Sequence, residues 1–414
     1  MASQPSRLQV SIAGICSLIL AMGVARFAYT PLLPVMRAQA GLGVAGAGWL
    51  ATINYSGYLL GAMLSSVITD IVLKDRLYRI GMVVAVLSTA LMAASTDFPV
   101  WAASRFIAGL STAAGMLLGS GLTFNWLLRN GHRPELGIHF SGVGIGIVIC
   151  ALAVQAMSGW LDWRAQWLVF AALGLLLLIP ILAWLPAPAR QQAHAAISPL
   201  VDMPLSTPFY GTLLVAYFLA GVGFVVSATF IVAIVNTLPG LEGHGPMIFL
   251  WIGLAAAPSC IVWDLLARRW GVINALASAS ALQVLGILLP VWPGGIACAI
   301  MGSVLFGGTF SGIVSLVLTM AGRYYPSRPA AIMGRMTIAF GIAQMLAPAG
   351  TAWIATHSGS YATGLYVAAA SMMGCTLLLV ALRRIEPTAG TDSPGSTYPG
   401  RGGSEPQRRG RNAG

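Results

Sequence analysis

The stretch LQVSIAGICSLILAMGVARFAYTPLLPVM, Leu8 to Met36, is apolar apart from a few small polar residues and one charge, Arg26, near its middle. A bilayer's hydrocarbon core is about 30 Å thick and takes about 20 helical residues to cross. The stretch is long enough. Arg26 has no acidic neighbour in sequence. A charge at that depth costs at least about 2.5–3.5 kcal/mol, so it belongs against a water-filled cavity or a ligand.

The rest of the chain has the same character. Of 414 residues, 57% are hydrophobic and 8% charged, against about 25% charged in a soluble domain. A water-soluble fold of this size is excluded. Glycine is abundant, at 49 residues, as expected where helix backbones pack closely in lipid. The five cysteines, Cys16, Cys150, Cys260, Cys298 and Cys375, lie in apolar stretches without CxxC or Cys/His spacing. They read as small apolar fillers, and neither a disulfide framework nor a metal site nor a cofactor is expected.

Twelve apolar spans are predicted, at 10–36, 46–71, 77–95, 99–128, 135–158, 163–185, 208–236, 245–267, 272–290, 294–322, 329–355 and 361–384. Strand-like alternation is absent, which argues against a barrel. With the N-terminus inside, eighteen of the 22 basic residues fall on that side. Arg37 and Arg164 fall on the other, and Arg26 and Arg105 lie within spans. This asymmetry predicts a multi-pass protein with both termini cytoplasmic. It also explains the net charge of +11 without nucleic-acid binding, which would need a basic polar face. Trp49, Trp101, Trp160, Trp163 and Trp292 are expected at the outer interface, and Trp126, Trp184, Trp263 and Trp270 near the inner one. Eleven spans follow the first, and no clear cleavage site follows it, so it reads as a membrane helix and not a signal peptide.

The two halves repeat at a near-constant offset. Arg105 to Ala113 aligns with Val304 to Gly312, Phe140 with Phe340, and Leu20-Ala-Met-Gly lies near Leu219-Ala-Gly-Val. The fold class is an all-α integral membrane protein of two pseudo-symmetric six-helix bundles. Residues 1–185 form the first and 208–384 the second. Residues 186–207 are the cytoplasmic linker, and 385–414 a disordered, Gly/Pro/Ser/Arg-rich cytoplasmic tail. Parallel repeats place a substrate cavity between the halves near the midplane.

Local strings carry a family resemblance. Arg105-Phe-Ile-Ala-Gly109 is similar to the Arg-xxx-Gly signature of the major facilitator superfamily. Asp264-Leu-Leu-Ala-Arg268-Arg269-Trp-Gly271 resembles its charged loop after span 8, whereas the loop from Asp70 to Gly81 keeps acid and base without the glycine spacing. Arg26-Phe-Ala-Tyr29-Thr-Pro, Asn54-Tyr55-Ser-Gly57-Tyr58, Ala257-Pro258-Ser259, Phe306-Gly-Gly-Thr309-Phe310 and Gly341-Ile-Ala-Gln344 resemble the YbfB/YjiJ-type branch. The resemblance implies the major facilitator fold, a monomer in a bacterial cytoplasmic (inner) membrane, and secondary active transport of a small solute by alternating access. It names no substrate.

Site residues follow from depth. At 1.5 Å per residue, Arg26 lies about 15 Å and Asn54 about 12 Å from the outer end of its span. Tyr58 is one turn from Asn54 on the same face. Thr309, Gln344 and Gln283 fall at comparable depth in the second half. Arg26, Tyr29, Asn54, Tyr58, Thr309 and Gln344 are therefore the expected substrate-binding residues. A guanidinium there holds a carboxylate or phosphate through two parallel hydrogen bonds. The alternative for Arg26 is to bond helix carbonyls freed by Pro31 and Pro34, or to snorkel outward. Arg105 is read as a gating or coupling residue, near Asp97 and Asp162. Asp264 with Arg268 is read as a gating pair, and His139 and Arg335 lie near the cytoplasmic mouth.

None of the eleven Asp and Glu sits near the centre of a span. A cationic substrate would lack its counter-charge, and proton coupling would lack the carboxylate that often carries it. A coupled proton would travel on the substrate, or through Arg26, Arg105 and water. The expected activity is transport of a small organic anion. The alternatives are efflux of neutral or cationic drugs by antiport, or a non-transporting sensor. Nothing in the chain clusters as an enzyme's acid–base groups would.

Overall fold

The computed structural model describes residues 5–132, 136–188, 205–325 and 329–385. All of the expected tail but its first residue, Ile385, and most of the expected linker lie outside these residues. Among the described residues the chain is helical throughout, in twelve rods. They are α1 (Arg7–Ala40), α2 (Val44–Val67), α3 (Ile71–Leu91), α4 (98–129), α5 (Leu136–Met157), α6 (Trp163–Trp184), α7 (Thr207–Asn236), α8 (Gly245–Trp270), α9 (Val272–Val291), α10 (Gly295–Tyr324), α11 (Pro329–Ser358) and α12 (Ala362–Leu382).

Ten of the rods are long and apolar enough to cross a membrane by themselves. The other two are α2, which carries Asn54, Tyr55, Ser56 and Tyr58, and α3, whose first turns carry Lys74, Asp75, Arg76 and Arg79. They have 24 and 21 residues, about 36 and 31 Å of helix, so their length suffices. Their polarity has structural causes. The polar face of α2 is turned inward, and the charges of α3 sit at one end.

The helices begin at residues 7 and 207, 44 and 245, 71 and 272, 98 and 295, 136 and 329, and 163 and 362. The offset is nearly constant, as the repeat requires. Within the first half α2 packs on α4, α3 on α4 and α6, and α1 on α5 and α6. Within the second, α8 packs on α10, α7 on α12 and α11, and α9 on α10 and α12. The halves meet chiefly along two pairs, α2 with α11 and α5 with α8. Exchanging the halves turns one pair into the other, which is the signature of a two-fold axis between them. The α5–α8 pair touches backbone to backbone. A methyl on Gly144 would lie 2.3 Å from Ala257 N and 2.7 Å from Gly253 O, so only glycine fits.

Leu175, Leu176, Ile179 and Leu377 are more than half exposed, an apolar outer surface suited to lipid. Trp49, Trp160, Trp270 and Trp292 are exposed at rod ends. Trp101 and Trp163, expected with the outer belt, are instead buried and pack edge to face at 5.6 Å. Trp263 is also buried, its indole N–H donating to Gly308 O at 2.7 Å.

Two rods depart from regular α geometry. Residues Ile19–Phe27 of α1 and Ala114–Gly119 of α4 form wide, π-type turns. Such turns often mark functional sites because they displace backbone groups from the regular ladder. Arg26 lies in the first.

Candidate functional site

A cavity of about 400 Å³ opens between the halves. Its wall is built from α1, α2, α4, α5, α7, α8, α10 and α11. The lining residues Ser120 and Phe124 of α4, Phe140 of α5, Ser315 and Thr319 of α10, and Thr337 of α11 belong to the rod halves nearest the chain's N-terminus. The cavity therefore faces the side on which α1 begins, called here the N-face. A second space of about 510 Å³, lined by Ser65, Thr69, Lys74 and Asn125 and sharing Leu117, Gly121, Leu318, Met333 and Thr337 with the first, adjoins it at the mouth.

The opposite face is sealed by contacts between the halves. Thr30 Oγ1 donates to Ala228 O at 2.8 Å, Ala349 N donates to Thr52 Oγ1 at 3.1 Å, and the hydroxyls of Tyr55 and Thr229 are 3.3 Å apart. Phe27 and Phe249 add a ring contact at 6.5 Å.

Arg26 sits directly beneath this seal. It is 5% exposed and lines the cavity. Its Cζ lies 4.5 Å from the Tyr55 ring centroid and 5.0 Å from that of Tyr58. Nη1 reaches only Met22 Sδ, at 4.0 Å, and Nε and Nη2 have no hydrogen-bond partner. Those two nitrogens form one edge of the guanidinium, the edge that carries two parallel N–H bonds. A guanidinium desolvated by aromatic rings, with this edge unpaired among protein atoms, has the chemistry to hold an anion through two parallel hydrogen bonds.

Of the other expected binding residues, Tyr58 and Gln344 also line the cavity. Gln344 Oε1 is buried without a partner. Gly341, one turn before Gln344, faces Leu59, next in sequence to Tyr58, so the two halves bring these groups to one level.

Three expected residues point elsewhere. Tyr29 donates to Ala47 O at 2.9 Å. Asn54 Nδ2 donates to Arg105 O at 2.8 Å, joining α2 to α4. Thr309 Oγ1 lies 2.8 Å from Leu305 O and 3.4 Å from Gln283 Oε1. Asn54→Ala is accordingly expected to cost about 0.6–1.7 kcal/mol of stability, the range for hydrogen bonds between membrane helices. Ligand affinity should stay within about two-fold, well under a single charged hydrogen bond's worth. A thermal melt with and without ligand checks both, and an affinity loss without destabilisation would place Asn54 in the binding machinery.

Arg105 takes the carbonyl-bonding part that the sequence left open for Arg26. It is 3% exposed, and donates to Ala25 O at 3.0 Å and to Arg26 O at 3.4 Å. Its Cζ lies 4.7 Å from the Tyr29 ring centroid. The wide turn of α1 presents these carbonyls toward α4. Proline at 31, with no N–H, leaves the adjacent Phe27 O without its regular helical donor. Arg105 thus holds the backbone of Arg26, and the Arg26 side chain is released to the cavity. Asp97 and Asp162 bond locally, to Ser95 and to Ala165 N.

Asp264 and Arg268 pair at 2.6 Å on the N-face end of α8, exposed, where such a pair is worth little by itself. His139 is buried behind the cavity wall, 2.8 Å from Ser120 Oγ, with Phe124 and Phe140 against its ring. Arg335 is exposed.

Most of the cavity wall was not singled out from sequence: Tyr217, Phe224, Phe310 and Met22 among them. One signal was available. The repeat aligns Phe140 with Phe340, and both line the cavity, from opposite halves.

Comparison with known proteins gives a consistent account. The family model described as "Uncharacterised MFS-type transporter YbfB" matches residues 18–380. The "Uncharacterized MFS-type transporter YceJ" of Bacillus subtilis (strain 168) is 24% identical over 301 residues, covering 67% of this chain and 72% of that protein. The "Chloramphenicol resistance protein" of Streptomyces lividans is 26% identical over 241 residues, covering 57% of this chain and 59% of that one. The crystal structure of the nucleoside transporter NupG superposes with a TM-score of 0.69 at 15% identity, over 91% of this chain and 99% of that one. A mutant of it gives 0.72 at 14% identity. At such identity these structures establish the fold alone. The family and the structural neighbours are transporters and not enzymes. With the family match extending from α1 into α12 over the fold just described, the chain belongs to the YbfB-type family of MFS membrane transporters.

Proposed function

We propose that this protein is a secondary active transporter that moves a small organic anion by alternating access. The carrying observation is Arg26: buried at the blind end of the cavity, its side-on fork unpartnered, with no carboxylate among the described lining residues to neutralise it. The N-face is the cytoplasmic one on this reading, because the basic residues collect there. The structure then corresponds to the inward-open state of a monomer in the cytoplasmic membrane, both termini inside. The bundles 1–185 and 208–384 rock about the α2–α11 and α5–α8 contacts, with Asp264 and Arg268 joining the cytoplasmic gate when it closes.

Tyr55 links binding to opening. It stacks on the Arg26 guanidinium and bonds Thr229 across the seal. An anion that draws Arg26 toward itself alters a group belonging to the seal. Arg105 has donors committed to α1 carbonyls, which favours a coupled proton carried on the substrate over one relayed through Arg105.

Efflux of a neutral compound is the second reading, favoured by the relative named for chloramphenicol resistance. Counterflow in proteoliposomes separates the two. Vesicles loaded with unlabelled organic acid are expected to accumulate the labelled acid transiently, and chloramphenicol is expected neither to exchange nor to compete. Exchange of chloramphenicol with no exchange of any acid would overturn the anion reading.

A further inference from the structure

The cavity holds more information than the sign of its charge. Arg26 is its sole cationic side chain among the described lining residues. Only one edge of that guanidinium is free: Nε and Nη2 lack partners, Nη1 is turned to Met22 Sδ, and two tyrosine rings lie against the group. The free edge matches the two oxygens of one carboxylate. A second negative charge on the same ligand would find neutral hydroxyls and an amide on this wall but no second cation, and would be desolvated without a counter-charge.

Much of the remaining wall is aromatic and already assembled. Phe224 lies 5.0 Å from Phe310 and 5.9 Å from Phe340, and Phe340 stacks on Tyr217 at 4.6 Å. Phe124 and Phe140 face them from the first half, while Met22, Met116 and Met333 fill between. Ring faces and thioethers select a flat or branched apolar body. A polyol in the same place would lose water from hydroxyls that find few partners. Neutral polar groups enter at two points. Gln344 lies at the level of Tyr58, and Ser311, Ser315, Thr319 and Thr337 lie on the way to the mouth. The volume of about 400 Å³ falls within the range of sites for drug-sized molecules.

We propose that the substrate is an amphipathic monocarboxylate. Its carboxylate is taken head-first by the Nε/Nη2 edge of Arg26, and its aromatic or branched apolar body lies along the Phe224–Phe310–Phe340–Tyr217 stack. This rests on the anion reading above and narrows it. Dicarboxylates, sugar acids and phosphate esters are excluded as good substrates, and so are apolar amides of the same shape.

The test is a binding series on the purified full-length protein in nanodiscs, read by calorimetry. The probes are benzoate, phenylacetate, 3-phenylpropanoate and 4-phenylbutanoate, their primary amides, and succinate and gluconate. Affinity is expected to rise about four-fold for each added methylene that becomes buried, to drop at least 30-fold in each amide, and to be at least ten-fold weaker for succinate and gluconate than for 3-phenylpropanoate. Phe340→Ala should weaken the aryl acids about ten-fold. Phe340→Leu, which keeps apolar volume, should recover most of that loss, a rescue that a misfolded variant would not give. Succinate or gluconate binding as tightly as the aryl acids, or a series flat in chain length, overturns the amphipathic proposal and leaves the anion reading standing. Amides binding as tightly as acids, with Arg26→Gln without effect, overturns the anion reading itself.

Discussion

Arg26→Gln is expected to abolish saturable uptake and counterflow of the anionic substrate while the protein still folds. The lost interaction is a charged, two-pronged hydrogen bond in a desolvated site. Removing one partner of such a pair costs about 2–5 kcal/mol, a loss of roughly 30- to several-thousand-fold in affinity. Stability should change little or rise. Among protein atoms this guanidinium has its fork unpartnered, and its main contacts are the Tyr55 and Tyr58 rings. A buried cation without a counter-charge is a cost to the fold, and glutamine removes it. Arg26→Lys separates charge from geometry. The ammonium keeps the sign and loses the fork, so about ten-fold weaker binding is expected, between the wild type and glutamine. Calorimetry and counterflow read the affinity, and a thermal melt reads the fold. A substrate affinity unchanged in Arg26→Gln would make Arg26 a structural residue. A large drop in melting temperature would show that the Tyr55 and Tyr58 stacks outweigh the burial cost.

Gly48→Leu is expected to be the second severe substitution, through conformation and not binding. Gly48 lies in the first turns of α2, on the sealed face. A methyl there would stand 2.3 Å from the Ala352 side chain and 2.8 Å from Pro348 O. The obstacle includes a backbone carbonyl, so no rotamer change relieves it. Overpacking of this kind costs about 1–3 kcal/mol. That cost falls mainly on the state in which α2 and α11 touch at this point. The population of the observed state should fall by about ten-fold or more, at 1.4 kcal/mol per factor of ten, and counterflow should slow with it. Cys260 lines the cavity, its thiol donating to Ser311 O at 3.5 Å. With Cys16, Cys150, Cys298 and Cys375 replaced by Ala, a thiol reagent confined to the N-face side should label Cys260 in the parent. In Gly48→Leu it should label more slowly by the same factor, with Gly48→Ala between. Unchanged labelling and transport in Gly48→Leu would remove this contact from the seal.

Composition and charge placement were enough for the class of the protein. Some 400 residues with 8% charge have one solvent available to them, and the same low charge content makes each exception legible. Arg26 stood out because an isolated guanidinium in an apolar span needs an explanation. The near-constant offset between halves carried the two-bundle arrangement, and with it the expectation of a central cavity that Arg26 lines. The YbfB-type resemblance rested on strings around these same positions, and the family match spans them.

The local assignments around Arg26 were another matter. Asn54 and Tyr58 share a helix face by spacing, yet Tyr58 lines the cavity and Asn54 bonds to Arg105 O. α2 has two buried directions, one against α4 and one toward the cavity, and helical period cannot distinguish between them. Arg26 and Arg105 presented the same ambiguity, since each was an arginine within a span. The wide turn at Ile19–Phe27 resolved it, by aiming the carbonyls of Ala25 and Arg26 at Arg105. A backbone irregularity of that kind depends on donors supplied from another helix, and no pattern within α1 encodes it. The solvent, the number of helices and the buried charge are additive consequences of residue type, and these were readable along the chain. Which arginine faces the void, which side of the molecule is sealed and which rings build the wall depend on pairings between residues far apart in sequence, and only packing in three dimensions selects among them.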